Sequence, residues 1–313
     1  MDSLPEHSSV LECSDLSATI IEYCSKHGYR LEMISPADDP NTAILTNGDN
    51  TIRLIRSGPT NDRSNSEHAG TTGWVTGRAG MQYRELLPGR HGGRIIASHI
   101  RLLKGGPVPD YVHYHRVDFQ LIYCLKGAIR VVYEDQGEPF VLEPDDCVIQ
   151  PPEIRHRVLE AEAGSEVIEI GVPAVHETWL EHEFSLPNGR VDHDRTFGRQ
   201  PFVRNRCATA KRVKIGPHNI WSRDIIGLES TNGVASARLL EWQGPGSEGL
   251  DVFSKNLDIV IVTIQGGADL VKVENRFQML EHSAQLIERG EQCRIENSSG
   301  TILEVAIDRS MVS

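Results

Sequence analysis

The chain has 313 residues, of which 39% are hydrophobic and 24% charged; these are values of an ordinary globular protein, and the length favours two domains. Its 44 acidic and 32 basic residues give a formal net charge of −12, which disfavours binding to nucleic acid or to anionic lipid. The polar N-terminus, the absence of a long apolar stretch and six cysteines without a CxxC pair predict a cytoplasmic protein with reduced thiols and no membrane contact.

The first segment, residues 1–56, is predicted to form a small α-β-β-β module. Apolar side chains recur at helical spacing between Asp15, a suitable N-cap, and Gly28, a suitable stop. Three short β-type runs follow, broken at the sequences PADDP and NGDN. This order resembles a half-module of the glyoxalase/vicinal-oxygen-chelate family, but without that family's metal-binding His and Glu, so we expect a structural appendage.

The rest of the chain is predicted to be mainly β. Residues 57–90, rich in Ser, Gly, Asn and Thr, indicate a linker. In residues 91–175, short runs of Ile, Val, Leu and Tyr alternate with turn signals, a rhythm typical of a small antiparallel barrel or jelly roll. After a polar connecting segment, residues 176–206, a second such series fills residues 207–313. The shared order of KGAIRVVYE and GGADLVKVE suggests an internal duplication.

Three histidines in the first β series form the strongest chemical signal. His113 and His115 are two residues apart, so on a strand both side chains point to one face. His156 follows a turn marked by Pro151. An H-x-H pair alone is more often a surface or packing feature than a metal site.

These residues resemble the two motifs of the cupin superfamily, G-x5-H-x-H-x(3,4)-E-x6-G and G-x5-P-x-G-x2-H-x3-N. The matching residues are His113, His115 and Gly127 in the first motif, and Pro151 and His156 in the second. The resemblance implies tandem double-stranded β-helix barrels, known as cupin jelly rolls, the first of which binds a metal. It also implies that the three histidines are the metal ligands.

The chain departs from the cupin pattern at several positions. The usual glutamate is Gln120, while Pro107, Asp145, Glu153 and Glu160 replace turn glycines and an asparagine. Three neutral imidazoles suit Fe(II), Zn, Mn, Ni or Cu. Similarity to the three-His iron sites of diketone- and gentisate-cleaving cupins favours Fe(II), and a dioxygenase of a small enolisable dicarbonyl or hydroxyaryl acid.

Two further residues are candidate catalytic groups. Gln120 could coordinate the metal weakly through its amide oxygen or, as we favour, hold a water or substrate oxygen, and a satisfied buried amide is the alternative. Tyr111 shares strand parity with the two histidines, although core packing is an alternative for it. A redox-neutral isomerase, decarboxylase or lyase would need a general acid or base, for which Glu153, Glu160, Glu169 and Tyr111 are the candidates. A non-catalytic, ligand-binding cupin is the third alternative.

The second β series is predicted to form a metal-free barrel. When the turn glycines of the two series are aligned, Val252 and Ser254 stand where the histidine pair is, and Ile259 replaces Gln120. We therefore expect a structural half that forms a homo-oligomer, most simply a dimer, while the partner of the first barrel is a small molecule. His176, beyond the last strand of the first series, is expected at the surface.

Overall fold

The computed structural model describes residues 8–57, 73–215, 219–243, 249–273, 275–308 and 310. These residues form a small N-terminal module followed by two β-barrels, as the mainly β prediction requires. Residues 58–72, all within the predicted linker, lie outside the described residues. Within the described ranges, no helix is both long and apolar enough to cross a bilayer.

The N-terminal module contains one helix and four strands. Its elements are β1 (Ser8–Cys13), α1 (Leu16–Lys26), β2 (Arg30–Ser35), β3 (Thr42–Asn47) and β4 (Asn50–Arg56). The predicted cap is confirmed, because the Asp15 side chain accepts a hydrogen bond from the Ala18 N–H at 2.9 Å. The predicted α-β-β-β order lacks β1, which pairs in parallel with β4. The middle of β1 is exposed at the sheet edge, so it carries no burial pattern that a sequence could display.

The first barrel is built from two facing sheets. Its strands are β5 (Val75–Thr76), β6 (Gln82–Glu85), β7 (Ile96–Leu102), β8 (Gly106–Pro107), β9 (His113–His115), β10 (Phe119–Lys126), β11 (Ile129–Tyr133), β12 (Phe140–Leu142), β13 (Cys147–Ile149), β14 (His156–Ala161), β15 (Ser165–Val172) and β16 (Thr178–Leu180). One sheet has the order β16-β9-β14-β11-β12, with β8 also on β14, and the other β13-β10-β15-β7-β6-β5. Helical turns at Arg78–Gly80 and Arg90–Gly93 flank β6. The barrel therefore begins before residue 91, because β5 and β6 lie in the stretch expected to be linker.

The N-terminal module continues one of these sheets. Strand β16 pairs with β9 on one side and with β2 on the other, so the module and the barrel share one ten-stranded sheet. The expected appendage is thus hydrogen-bonded to the sheet that carries all three histidines.

The second barrel is a single curved sheet. After β17 (Thr196–Phe197), β18 (Gln200–Pro201) and β19 (Val203–Asn205), its strands are β20 (Arg212–Ile215), β21 (Ile220–Ile226), β22 (Ala235–Trp242), β23 (Leu250–Phe253), β24 (Asp258–Lys272), β25 (Asn275–Met279), β26 (Ala284–Ile287) and β27 (Gln292–Ile307). Helical turns lie at Cys207–Thr209 and Leu228–Thr231. The pairing of long strands β24 and β27 shifts register on both sides of the position where Gly266 faces Gly300. A Cβ on Gly266 would lie 1.9 Å from the Ser299 carbonyl oxygen, so this approach requires glycine.

A continuous hydrophobic core joins the barrels. Strand β10 alternates: Leu121 packs in the inter-barrel core with residues such as Leu239 and Val305, whereas Gln120 and Ile122 face the interior of the first barrel. This period of two places apolar side chains between the barrels and leaves the other face of β10 to line a cavity.

Candidate metal centre

The three predicted histidines meet inside the first barrel. His113 and His115 lie on β9, and His156, the first residue of β14, pairs directly with His113. The ring centroids are 4.2 Å apart for His113 and His156, and 5.1 Å apart for each of the other two pairs. One ligand atom from each ring lies within 4.8 Å of the others, and all three residues are buried. This group could therefore hold one metal ion.

Hydrogen bonds on the outer ring nitrogens orient the imidazoles. The Nδ1 of His113 donates to the Tyr111 carbonyl at 2.8 Å, and the Nδ1 of His156 donates to the Ile154 carbonyl at 2.9 Å. Because a carbonyl oxygen can only accept, both Nδ1 atoms carry the proton and both Nε2 atoms keep a free lone pair. The Nδ1 of His115 lies 2.9 Å from the Thr178 hydroxyl.

The site keeps its imidazoles neutral. Burial lowers the pKa of His156 to about 4, and it lowers the pKa values of His113 and His115 well below their ordinary value. The positive charge of Arg78 acts in the same direction on all three pKa values. The Nε2 of His113 is buried without a hydrogen-bond partner, an expensive arrangement for a polar atom. Neutral imidazoles with a free inward nitrogen fit a divalent metal.

The three histidines line a small, mostly apolar cavity of about 90 Å³. Its volume suffices for several water molecules or one small ligand. Apolar wall residues include Met81, Ile100, Ile122, Val131, Leu142 and Val167, and the polar ones besides the histidines are Arg78, Tyr83, Gln120, Tyr133, Gln150 and Glu169.

Gln120 and Glu169 form a buried polar pair in this cavity. The Gln120 Nε2 donates to the Glu169 Oε1 at 2.6 Å, and the Gln120 Oε1 has no partner. The amide is thereby oriented with its acceptor free, as a substrate-holding role requires. Of the carboxylates considered from the sequence, Glu153 and Glu160 are exposed, so only Glu169 lines the cavity.

Tyr111 does not lie where strand parity suggested. Its side chain is 66% exposed and does not line the cavity, although its carbonyl oxygen orients His113. Strand β9 begins only at His113, so the alternation of faces does not extend back to residue 111. The structure therefore gives Tyr111 a backbone contact with the site and no side-chain one.

Arg78 lines the cavity from a part of the chain expected to be linker. It forms an ion pair with buried Asp110, and its Nη1 lies 3.4 Å from the His113 Nδ1. Asp110 also accepts the backbone N–H groups of Tyr111 and Val158. Arg78 is an isolated arginine in a glycine-rich stretch and belongs to no motif, so its position in the cavity could not be predicted from the sequence.

His176 is buried rather than at the surface. Its ring centroid lies 5.4 Å from that of His115, and its Nδ1 donates to the Pro173 carbonyl at 3.1 Å. The expectation of a surface position was wrong because β16, which follows His176, returns to pair with β9 and covers the segment.

A second group of possible metal ligands, His99, Glu166 and His282, lies where the two barrels meet. Here both ring nitrogens of His99 are already used: Arg84 lies 3.0 Å from the Nδ1, and Glu166 lies 2.7 Å from the Nε2. Arg84 also donates to the His282 carbonyl. A cationic donor on the Nδ1 places the ring proton on the Nε2, so this group is a hydrogen-bonded contact between barrels and not a ready metal site.

The corresponding part of the second barrel has different side chains. Val252 and Ile259, predicted to replace a histidine and Gln120, are buried apolar residues. Beside them, Arg238 makes a two-pronged ion pair with Glu304, at 2.7 and 2.9 Å. Neither of the two possible metal-ligand groups in the described chain lies within this barrel.

Comparison with known proteins agrees with this architecture. Residues 98–170 match the family model described as Cupin domain. No curated protein gives a significant sequence match. Among solved structures, similarity extends to a Lactobacillus farciminis oxalate decarboxylase, solved as a formate complex, with 16% identity and a TM-score of 0.58 over 80% of this chain and 89% of that chain.

Two other solved structures show the same likeness. A mutant of the Bacillus subtilis oxalate decarboxylase OxdC has 14% identity and a TM-score of 0.55 over 80% of this chain and 79% of that chain. The E. coli protein YlbA has 10% identity and a TM-score of 0.53 over 85% of this chain and 90% of that chain. The predicted resemblance and fold class are confirmed: the chain contains a cupin domain and has a two-barrel cupin fold.

Proposed function

We propose that His113, His115 and His156 bind a divalent metal and that the protein is a metal-dependent enzyme of a small, anionic, oxygenated substrate. The leading activity is an Fe(II) dioxygenase acting on an enolisable dicarbonyl or a hydroxyaryl acid. The observation that carries the proposal is three buried, neutral imidazoles around one point of a small cavity, with no carboxylate among them. Zn, Mn, Ni and Cu suit the same donor set.

A divalent metal in this position supplies a Lewis acid toward substrate oxygens, and iron(II) adds reactivity with O2. Three neutral ligands leave the double positive charge of the cation uncompensated. The guanidinium of Arg78 is balanced by Asp110, and the carboxylate of Glu169 offsets only part of the cation's charge, so the site would keep a net positive charge. An anionic substrate is therefore favoured electrostatically.

The chain's own residues orient the substrate and exclude water. The Oε1 of Gln120, held in place by Glu169, can accept a hydrogen bond from a substrate hydroxyl. The apolar wall keeps bulk water from the reacting atoms. Because the cavity measures about 90 Å³, a substrate of few carbon atoms fits best.

The second candidate is a redox-neutral decarboxylase, isomerase or lyase, favoured by Glu169. This carboxylate lines the cavity beside Gln120, where it could take a proton from a substrate carbon or deliver one. The solved proteins of similar fold include oxalate decarboxylases.

An oxygen-uptake assay separates these activities. The protein is loaded anaerobically with Fe(II), mixed with a panel of small dicarbonyl and hydroxyaryl acids, and exposed to O2, while O2 and product are measured together. We expect O2 uptake in proportion to product, and none with His113→Ala. Product without O2 uptake would support the redox-neutral candidate, and binding without any product would support a ligand-binding cupin.

The second barrel is proposed to form a homodimer, and a cytoplasmic location stays a prediction. Phe253, Phe277 and Leu280 of this barrel are large apolar side chains that are exposed in the single chain. Analytical ultracentrifugation tests the proposal: a dimer that becomes a monomer in Phe277→Glu supports it, and a monomeric wild-type protein contradicts it.

A further inference from the structure

The three imidazoles are held in two different ways. His113 and His156 donate to backbone carbonyls, which accept only, so their Nδ1–H tautomer is set by the fold. His115 instead faces the hydroxyl of Thr178, 2.9 Å from its Nδ1. Because a hydroxyl can either donate or accept, the Nδ1 of His115 can be unprotonated or protonated. Only the protonated form leaves the Nε2 lone pair free for a metal.

Thr178 is fixed by two parts of the molecule at once. It is 0% exposed and lies on three-residue strand β16. In the sheet, Thr178 pairs with His115 on one side and with Ile34 of β2 on the other. Removal of either neighbour would leave β16 as an edge strand, with the hydroxyl less firmly placed.

Further contacts attach the N-terminal module to this region. The Ser35 hydroxyl donates to the His176 carbonyl at 3.1 Å, Asp38 forms an ion pair with Arg90, and Ala37 lines the metal cavity. The module therefore contributes both a wall of the cavity and a neighbour of the strand that carries Thr178.

From this geometry we infer that Thr178 is a positioning residue for His115, held in place by the pairing of the N-terminal module with β16. The inference rests on the proposed function, because it assumes a metal at the three histidines. On metal binding, the proton of His115 resides on Nδ1 and is donated to the Thr178 Oγ1. For a ring that starts as the other neutral tautomer, one proton leaves Nε2 and one is gained at Nδ1, with no net release.

The first test is zinc binding by the full chain. Zinc dissociation constants are measured by competition calorimetry for wild type, Thr178→Val and Thr178→Ser. Removal of a group that orients a metal ligand typically weakens binding about 10- to 100-fold, which is the effect expected for Thr178→Val. Thr178→Ser restores the hydroxyl and should bind nearly as wild type does. Thr263→Val is the matched control, because the Thr263 hydroxyl is buried in the second barrel without a partner.

The second test needs no variant. Long-range ¹H–¹⁵N spectra of wild-type imidazoles, with and without zinc, report which nitrogen carries the proton. We expect Nδ1 of His113 and His156 to be protonated in both states, and Nδ1 of His115 to become fully protonated only with zinc. A His115 ring that is entirely in the Nδ1–H form before zinc is added would overturn the tautomer step.

The outcomes separate this inference from the proposed function. A wild-type protein that binds no zinc at a single site refutes both. Wild-type binding that is unchanged in Thr178→Val refutes the inference alone and leaves the metal site standing. Weaker binding in Thr178→Val that Thr178→Ser does not recover would assign the effect to packing, and would also refute it.

Discussion

The two barrels place the same strands around interiors of different chemistry. Glu169 of the first barrel pairs with Ile122 on one neighbouring strand, and Glu304 of the second barrel pairs with Ile261 in the same way. Both glutamates face the cavity of their barrel. In the first barrel the partner is the neutral amide of Gln120, whereas in the second it is the guanidinium of Arg238.

This difference separates the interior proposed to be active from one proposed to be structural. In the first barrel, the His113 Nε2 and the Gln120 Oε1 are buried without partners, which costs stability that a ligand can restore. In the second barrel, Glu304 is fully engaged by an arginine, and apolar Val252 and Ile259 replace the polar side chains. Isolated unpaired atoms, such as the buried Thr263 hydroxyl of the second barrel, are thus less informative than unpaired atoms that line a cavity beside possible metal ligands.

The largest expected effect comes from His113→Val, which gives the first barrel the side chain of the second at that position. A metal at a hundredfold excess over its dissociation constant should stabilise the wild type by about 2.7 kcal/mol. His113→Val should abolish this stabilisation, because two imidazoles remain. Urea unfolding with and without metal measures it, and exposed His193→Val is the control. Equal stabilisation in His113→Val would show that the metal binds elsewhere.

Gln120→Ile gives the first barrel the side chain that the second barrel has at the same position, which is not one of the three proposed metal ligands. The variant should keep the metal but lose about 10- to 100-fold in turnover, because it removes both the amide proposed to orient substrate and its hydrogen bond to Glu169. Steady-state rates together with metal content check this, and Gln285→Ile in the second barrel serves as control. Unchanged turnover would restrict Gln120 to a packing role.

Arg238→Met tests the structural interpretation of the second barrel. Glu304 would remain buried without its cation, so we expect a loss of about 1–2 kcal/mol in the free energy of unfolding. A second change, Glu304→Leu, should recover most of the loss by removing the unpaired charge. Denaturant titration measures both, and a double variant less stable than the single one would contradict the expectation.

The effect that is smallest near neutral pH concerns the contact between the barrels. Burial lowers the pKa of His99 to about 4, so the ring is neutral in the folded state. Because the unfolded ring binds a proton near pH 6.5, stability should fall as the pH decreases from 6.5 toward 4, by up to about 1.4 kcal/mol per pH unit. His99→Gln should show a shallower slope in denaturant titrations at several pH values, and His193→Gln should not. An unchanged slope in His99→Gln would assign the acid sensitivity to other groups.

The sequence predicted those parts of the site that follow regular strands. His113 and His115 are two residues apart on β9, and the alternating pattern of β10 and β15 places Gln120 and Glu169 on the inner face. The alternation of faces holds only within a regular strand. The prediction for Tyr111 was wrong because β9 begins two residues later, at His113.

The sequence did not predict which distant segments of the chain contact the site. Arg78 and Thr178 both reach the site, yet they are a hundred positions apart and belong to no shared motif. Their positions follow from tertiary pairing, β6 against β7 for the segment of Arg78 and β16 against β9 for Thr178. Periodicity describes which face a residue occupies, but not which strand becomes its neighbour.

Elemental analysis of protein purified without chelator shows whether the three histidines bind a metal. We predict a stoichiometric divalent metal in the wild type and none in His113→Ala or His156→Ala, two residues from separate strands of one site. Iron would favour the dioxygenase, and manganese or zinc the redox-neutral candidate. A wild type without metal, or a metal retained in both variants, would show that His113, His115 and His156 do not form a metal site.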